Sequence, residues 1–330
     1  MKIILSTNLV NNIIVRLSKV SNTPILDLAL IYKKYSNSNK EPSRIANELF
    51  GINKKLTISV FSILPFFLDL IKRMRYYPIA YLTKSKDFYN SEFFIKKGVL
   101  IPRPESEILV DLGILFSLSK LIEAKESKTT LIEGSFFMEK FNNFQSQNII
   151  VNQIKNACKE ENGFLFVNYE SIINLKENIV KKNKIQDIFS KRRSNESSQI
   201  EFCEFCTGSG AISISLIKEL LSLNKLLCLN KKNDLYINYL NIKPNCLCFD
   251  ISKKAISIAK KNAKIILGKE VNSIRIIKSN ILKECFLKKV KNKMFDFILA
   301  NPPYISKADF IKLPFEVKRY EPKIALLPPK

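Results

Sequence analysis

The sequence contains no histidine and no tryptophan. Without histidine, His-based general-base catalysis, Ser-His-Asp triads and the usual His-containing metal sites are excluded. No apolar stretch reaches the length of a membrane span. The run Val60–Ile71 is rich in Phe and Leu, but Pro65 and Asp69 interrupt it, and it reads as a buried helix. No secretory signal is evident, and no internal repeat is visible. The seven cysteines form no even disulfide framework, which points to a reducing compartment. Cys203 and Cys206 make a CxxC, and Cys246 and Cys248 a CxC. Both pairs fall on predicted strands or on a turn, so core thiols are favoured over a four-thiolate zinc site and no metal is expected.

At 330 residues, the chain has room for two domains, or for one with large insertions. It is 46% hydrophobic, enough for a substantial core. The formal net charge of +24 admits two readings. One is proximity to the ribosome or to nucleic acid. The other is composition alone, because Lys and Asn are abundant throughout and the charge forms no Arg-rich stripe. The start of the chain carries Lys2, Arg16 and Lys19 and no acid before Asp27. That leans towards an organelle (mitochondrion or plastid), with an ordinary first helix and the cytoplasm as the alternative.

The first 90 residues read as helical: Ile25–Tyr32, Arg44–Phe50 ending at Gly51, and Leu56–Tyr76 with a break near Pro65. Phe93-Phe94-Ile95 and Val99-Leu100-Ile101, separated by Lys97-Gly98, read as a short hairpin. Pro102 and Pro104 force extended chain, and Glu107–Leu121 resumes a helix. Ser127–Ser198 is dense in Lys, Asn, Ser and Glu and reads as an insertion, partly helical and partly disordered. From Ile200 onward strands alternate with helices: Ile200–Phe205, Ala211–Leu221, Cys246–Phe249, Ala255–Leu267, Ser273–Ile277 and Phe295–Leu299. Such alternation predicts an α/β fold with a doubly wound, mostly parallel Rossmann-like sheet. Asn224–Pro244 reads as a second, smaller insertion.

Three groups of residues stand at the C-terminal ends of these predicted strands, where open α/β sheets bind ligands. The first is Glu204-Phe205-Cys206-Thr207-Gly208-Ser209-Gly210, an acid followed by a small-residue turn into a helix. Gly208 and Gly210 permit close backbone approach. No Gly-Lys-Ser/Thr follows, which disfavours a phosphate-binding loop, but a plain tight turn remains an alternative. The second is Asp250, whose carboxylate can accept both ribose hydroxyl protons of an adenosine ligand. It can equally cap the next helix, as can Ser252. The third, and the most specific, is Asn301-Pro302-Pro303-Tyr304. Prolines fix the backbone, and the Asn301 side-chain oxygen with the Pro302 carbonyl can accept both N–H bonds of a planar NH2 group. Tyr304 can stack on its plane. An amide or ring-amine nitrogen is a poor nucleophile, so alignment is the main requirement, and positioning of this kind is worth roughly 7–11 kcal/mol.

Asn-Pro-Pro-Tyr is shared by enzymes acting on exocyclic amines of DNA, so the discriminating match lies upstream. Pro78-Ile79-Ala80-Tyr81-Leu82-Thr83, Phe88-Tyr89 and Val99-Leu100-Ile101-Pro102-Arg103-Pro104-Glu105-Ser106-Glu107 resemble the linker of the HemK/PrmC family, the release factor glutamine N5-methyltransferases. Asp250-Ile251-Ser252 and Tyr320-Glu321-Pro322 are similar to the same family. The resemblance implies a small helical substrate-recognition domain over 1–90, a hairpin linker over 91–110, and an S-adenosyl-L-methionine-binding methyltransferase domain over 111–330. It implies that the turn Cys206, Thr207, Gly208, Ser209 and Gly210 holds the methionine part of that cofactor, with Glu204 also cofactor-binding, that Asp250 holds the ribose, and that Asn280 and Ile281 flank the adenine. It implies that Asn301, Pro302, Pro303 and Tyr304 hold a substrate glutamine, with Asn301, Pro302 and Tyr304 catalytic and Asn301 also beside the cofactor. The implied partner is a class I peptide chain release factor, methylated at its Gly-Gly-Gln glutamine by a monomer with no membrane partner. Cys206 stands where the family most often has Gly, and Asn280 where it usually has Asp. The family continues beyond Lys330 with further sheet strands, so a sheet lacking its C-terminal strands is expected. Two alternatives stand beside this reading: an N6-adenine or N4-cytosine nucleic-acid methyltransferase, and a non-catalytic truncated paralogue.

Overall fold

The computed structural model describes residues 2–36, 38–51, 55–126, 158–161, 164–167, 197–229, 241–291 and 293–329. They divide into two compact units, one of residues 1–86, 94–101 and 303–330, the other of residues 87–93 and 102–302.

In the first unit β1 (Lys2–Leu5) pairs antiparallel with β2 (Leu56–Ser59), Lys2 opposite Ser59. Around this ribbon lie α1 (Thr7–Leu17), α2 (Pro24–Tyr35), α3 (Pro42–Phe50), α4 (Val60–Met74) and α5 (Ile79–Thr83). Ser6 caps α1 by accepting from the Leu9 amide, and proline opens α2 and α3, where its missing N–H costs nothing. Val10, Leu17, Leu28, Ile45, Leu49, Ile58, Phe66 and Leu70 form the core. The sequence predicts one broken helix over Leu56–Tyr76; the structure makes its first four residues a strand and runs α4 unbroken through Pro65. Leu56 and Ile58 are buried while Thr57 and Ser59 are half-buried, the period-two pattern of a strand. Pro65, the sixth residue of α4, lacks the N–H that would bond the Phe61 carbonyl and crowds that carbonyl with its ring, and burial of Phe66 and Leu70 offsets the cost.

Buried charge is paired in this unit. Arg73, 5% exposed, donates from Nε to Asp27 Oδ2 (2.7 Å) and from Nη1 to Glu316 Oε2 (2.8 Å). Glu316 lies in the short helix Phe315–Tyr320, so this ion pair ties the C-terminal segment to the N-terminal helices. The Ile101 amide donates to buried Glu321 (3.2 Å), and Tyr320 donates its hydroxyl to the Arg75 carbonyl (3.0 Å).

A two-stranded hairpin, β3 (Ser85–Phe88) and β4 (Ser91–Phe94), begins and ends in the first unit, with residues 87–93 belonging to the second. It turns at Tyr89, whose φ is +53°. The sequence predicts the hairpin later, over Phe93–Ile101. The buried residues Phe93, Ile95, Val99 and Ile101 misled that expectation, while polar Ser85-Lys86-Asp87 hid the real first strand.

The second unit holds the parallel sheet. After α6 (Glu107–Glu126) and the antiparallel pair β5 (Cys158–Glu161) and β6 (Phe164–Val167) come β7 (Ser197–Phe205), α7 (Ala211–Leu229), β8 (Asn241–Asp250), α8 (Lys253–Leu267), β9 (Ile274–Lys278), α9 (Cys285–Val290) and β10 (Phe297–Ala300). Among the described residues the sheet order is β10-β7-β8-β9, all parallel. This is the Rossmann-like fold class expected. Strands β7 and β8 and helix α7 run longer than predicted, so of the expected 224–244 insertion only 230–240 lies outside the described residues. The longer insertion lies outside them too, except for β5, β6 and the start of β7. Apolar runs such as Ile200, Phe202 and Cys203 are fully buried, as parallel strands covered on both faces require. Helix α6 packs on α7 and β10. Gly113 makes this possible, since a Cβ there would meet Leu216 Cδ2 at 2.5 Å.

Candidate active site

The chain order along the sheet reverses between β7 and β10: the chain moves outward from β7 through β8 to β9, then returns to the far side of β7. In open α/β sheets the crevice at the C-terminal ends beside such a reversal is the ligand site. The register brings the predicted site residues to that edge. Ala300 pairs with Phe205, Phe205 with Phe249, and Asp250 with Lys278. Asn301, Cys206, Asp250 and the Ser279–Asn280 segment therefore leave neighbouring strand ends side by side.

The turn after β7 is held in left-handed backbone: φ is +58° at Cys206, +58° at Gly208 and +81° at Gly210. A side chain at Cys206 costs roughly 1–2 kcal/mol in that conformation, a cost that glycine would avoid. Gly210 is the closest approach, because an added Cβ would meet Ile214 Cδ1 at 2.7 Å and Ala259 Cβ at 3.2 Å. Gly208 is open, with only the Cys206 carbonyl 3.9 Å from where a Cβ would stand. Further bonds fix the turn: Thr207 N–H to the Phe249 carbonyl (3.1 Å), Gly210 N–H to the Thr207 carbonyl (2.8 Å), and Asn262 Nδ2 to the Ser209 carbonyl (2.9 Å).

Glu204 lies beneath the turn, 1% exposed. Its carboxyl receives Thr207 Oγ1–H (2.6 Å) and further bonds from Ser213 and from Cys248 Sγ (3.6 Å). Burial raises its pKa from 4.5 to about 7, more than these bonds lower it. Glu204 thus braces the turn from below. Burial raises the Cys206 thiol to about 11, helped by Asp250 and Glu204, and keeps it protonated. Cys246 and Cys248 are buried in the same region, their sulfurs 3.4 Å apart.

Asp250 accepts the Gly208 amide on Oδ2 (2.9 Å) and the Ser252 amide on Oδ1 (2.8 Å). Ser252, not Asp250, caps α8, accepting from the Ala255 amide at 3.3 Å. The Asp250 carboxylate is thus aimed by two backbone donors and keeps lone pairs for further hydroxyl donors. Burial raises its pKa, opposed by the amides of Ser252, Gly208 and Ile251. Asn280 accepts the Leu282 amide (3.0 Å), and Ile281 packs on the cluster of Phe249 and Phe286. Gly208 with open space at its α-carbon, the anchored Asp250 carboxylate and Ile281 thus stand at this edge of the sheet.

Asn301 donates from Nδ2 to Ser106 Oγ at 2.9 Å. Pro302 is exposed and completes the sheet unit, while Pro303 and Tyr304 continue the chain into the first unit, Tyr304 being 76% exposed. Ser106 is the site residue that residue-by-residue reading missed. It stands within the Pro102–Glu107 segment, where its long-range partner leaves no local signal.

No family model matches the chain. It is 27% identical over 316 residues to a bifunctional methyltransferase of Rickettsia prowazekii, covering 94% of this chain and 42% of that protein. It is 28% identical over 257 residues to a release factor glutamine methyltransferase of Leptospira interrogans, covering 78% of this chain and 54% of that one. A protein of the same name from Mycoplasma mycoides is 26% identical over 323 residues, 97% of this chain and 75% of its own length. The chain thus spans less than half the length of the bifunctional relatives. A CurJ carbon methyltransferase structure aligns at 13% identity with a TM-score of 0.22, too low to bear on the fold. Over most of its length the chain is homologous to curated proteins named release factor glutamine methyltransferase and bifunctional methyltransferase, consistent with the HemK/PrmC family.

Proposed function

We propose that the chain transfers a methyl group from S-adenosylmethionine to the side-chain amide nitrogen of the glutamine in the Gly-Gly-Gln motif of a class I peptide chain release factor. The observation that carries this reading is the strand register, which aligns Asn301 beside the Cys206–Gly210 turn at the reversal of strand order. Gly208, the Cys206–Gly210 backbone, Asp250, Asn280 and Ile281 would hold the cofactor, and when bound it supplies the methyl as an electrophile on a sulfonium sulfur. Asn301 Oδ1 and the Pro302 carbonyl accept the two N–H bonds of the substrate amide and hold its plane. Accepting those protons stabilises the positive charge that develops on nitrogen as the N–C bond forms and the S–C bond breaks. The nitrogen then releases one proton to water. Tyr304 stacks on the amide plane.

The test is transfer of label from S-adenosylmethionine to a purified class I release factor, beside its Gly-Gly-Gln to Gly-Gly-Ala variant and plain DNA. Label on the unaltered factor alone is the expected result. Label on DNA, which the +24 charge would suit, overturns the reading in favour of nucleic-acid amine methylation. Absence of label on every substrate also overturns it.

A further inference from the structure

Asn301 has a planar amide with acceptor and donor ends of nearly the same shape. Only one of its two orientations presents an acceptor to an incoming NH2 group. We propose that Ser106 is the positioning residue that holds the plane of this amide for the incoming NH2 group, an inference that rests on the amide-methylating reading above. The Ser106 hydroxyl accepts one Nδ2–H of Asn301 at 2.9 Å. That bond engages the donor end of the amide with the protein and leaves Oδ1 to accept from a substrate NH2 group.

The fold fixes Ser106 there for reasons independent of the site. Helix α6 runs antiparallel to β10. At one end Lys120 pairs with Asp296 (2.5 Å) and the Phe116 and Phe297 rings lie 6.1 Å apart, and at the other end Ser106, just before the helix, meets Asn301. The fourteen steps from Ser106 to Lys120 rise about 21 Å at helical pitch. The five steps from Asp296 to Asn301 span about 17 Å as a strand, a comparable length. The start of α6 is braced in turn. Tyr89 donates its amide to Glu107 Oε1 (2.8 Å) and its hydroxyl to Asp111 Oδ1 (2.6 Å). Pro104 opens a single 3-10 turn, closed by Ser106 N–H to the Arg103 carbonyl at 3.0 Å. Ser106 is therefore held on a rigid element before any substrate arrives, and the amide it holds need not be ordered during the reaction.

Without the hydroxyl, Asn301 turns freely about its last torsion, whose preference is broad and two-fold. The flipped amide sets donor against donor. Ser106→Ala is expected to lower kcat for the release factor about tenfold, the scale of one lost hydrogen bond. Its dissociation constant for S-adenosylmethionine is expected to stay within about twofold of the parent, since the proposed ribose acceptor Asp250 is aimed by the Gly208 and Ser252 amides and not by Ser106. Ser106→Thr, which keeps the hydroxyl, is expected to restore kcat. Unchanged kcat in the alanine variant overturns the proposal, as does a threonine variant no better than alanine, or cofactor affinity that falls with kcat. If the parent chain transfers no methyl, the functional reading fails by itself. The Asn301–Ser106 bond is then read by NMR, with the Asn301 side-chain NH2 signal assigned by its loss in Asn301→Asp. Faster proton exchange of that NH2 in Ser106→Ala supports the holding role of Ser106, and an unchanged exchange rate overturns it.

Discussion

Exchanging Glu204 for glutamine isolates the contribution of one buried carboxyl to stability. The side chain is 1% exposed, and burial lifts its pKa from 4.5 to about 7. A raised pKa means that the native state binds the proton more tightly than the unfolded chain. Stability from this group is therefore complete below about pH 4.5 and is lost as the pH rises through about 7. At about 1.4 kcal/mol per tenfold, the whole interval amounts to about 3 kcal/mol. Glutamine copies the neutral acid, with one acceptor oxygen for Thr207 and one donor end, and it never ionises. Urea unfolding of the parent and of Glu204→Gln, from about pH 4.5 to 8, therefore yields two stability curves. Every other titrating group is common to both, so their difference belongs to Glu204. The variant is expected to gain on the parent by about 3 kcal/mol across that range, most steeply between about pH 5 and 7. A difference that stays constant with pH would refute the reasoning, because the carboxyl would then titrate alike in the folded and unfolded chains.

Gly210→Ala forces a side chain into φ +81° and to 2.7 Å from Ile214 Cδ1. Strain and overpacking together predict a loss of about 2–4 kcal/mol, read as a fall in the thermal midpoint. Cys206→Gly relieves the left-handed backbone at φ +58° but adds disorder to the unfolded chain, so calorimetry is expected to find it neutral to about 1 kcal/mol more stable. Arg73→Ala leaves Asp27, 2% exposed, as an uncompensated buried charge. Denaturant titration is expected to record a loss of roughly 3–5 kcal/mol, much of it recovered when Asp27→Leu is added. Asp250→Ala removes both the acceptor proposed for the ribose and the partner of the Gly208 amide, so calorimetric titration is expected to show S-adenosylmethionine binding weakened by tenfold or more.

The local chemistry of the chain determined much that needed no neighbours. Alternating apolar runs and helical periods declared the parallel sheet, and Gly208, Gly210 and the prolines after Asn301 declared turns wherever they sit. Those signals are legible because side-chain period and backbone restriction act within a few residues. Strand β2 could be assigned only through its partner, since Leu56–Ser59 is four residues long and runs straight into α4, and its pairing with Lys2–Leu5 made it a strand. Hairpin β3–β4 escaped notice because Ser85-Lys86-Asp87 carries no apolar alternation. The role of Glu204 shows the same limit at the site. The sequence places an acid at the end of a strand, but only packing buries it under the turn and raises its pKa. Ser106 and Asn301 stand 195 positions apart, and no local pattern joins them. Short-range preferences are written residue by residue, whereas burial and long-range hydrogen bonds exist only once the elements have packed.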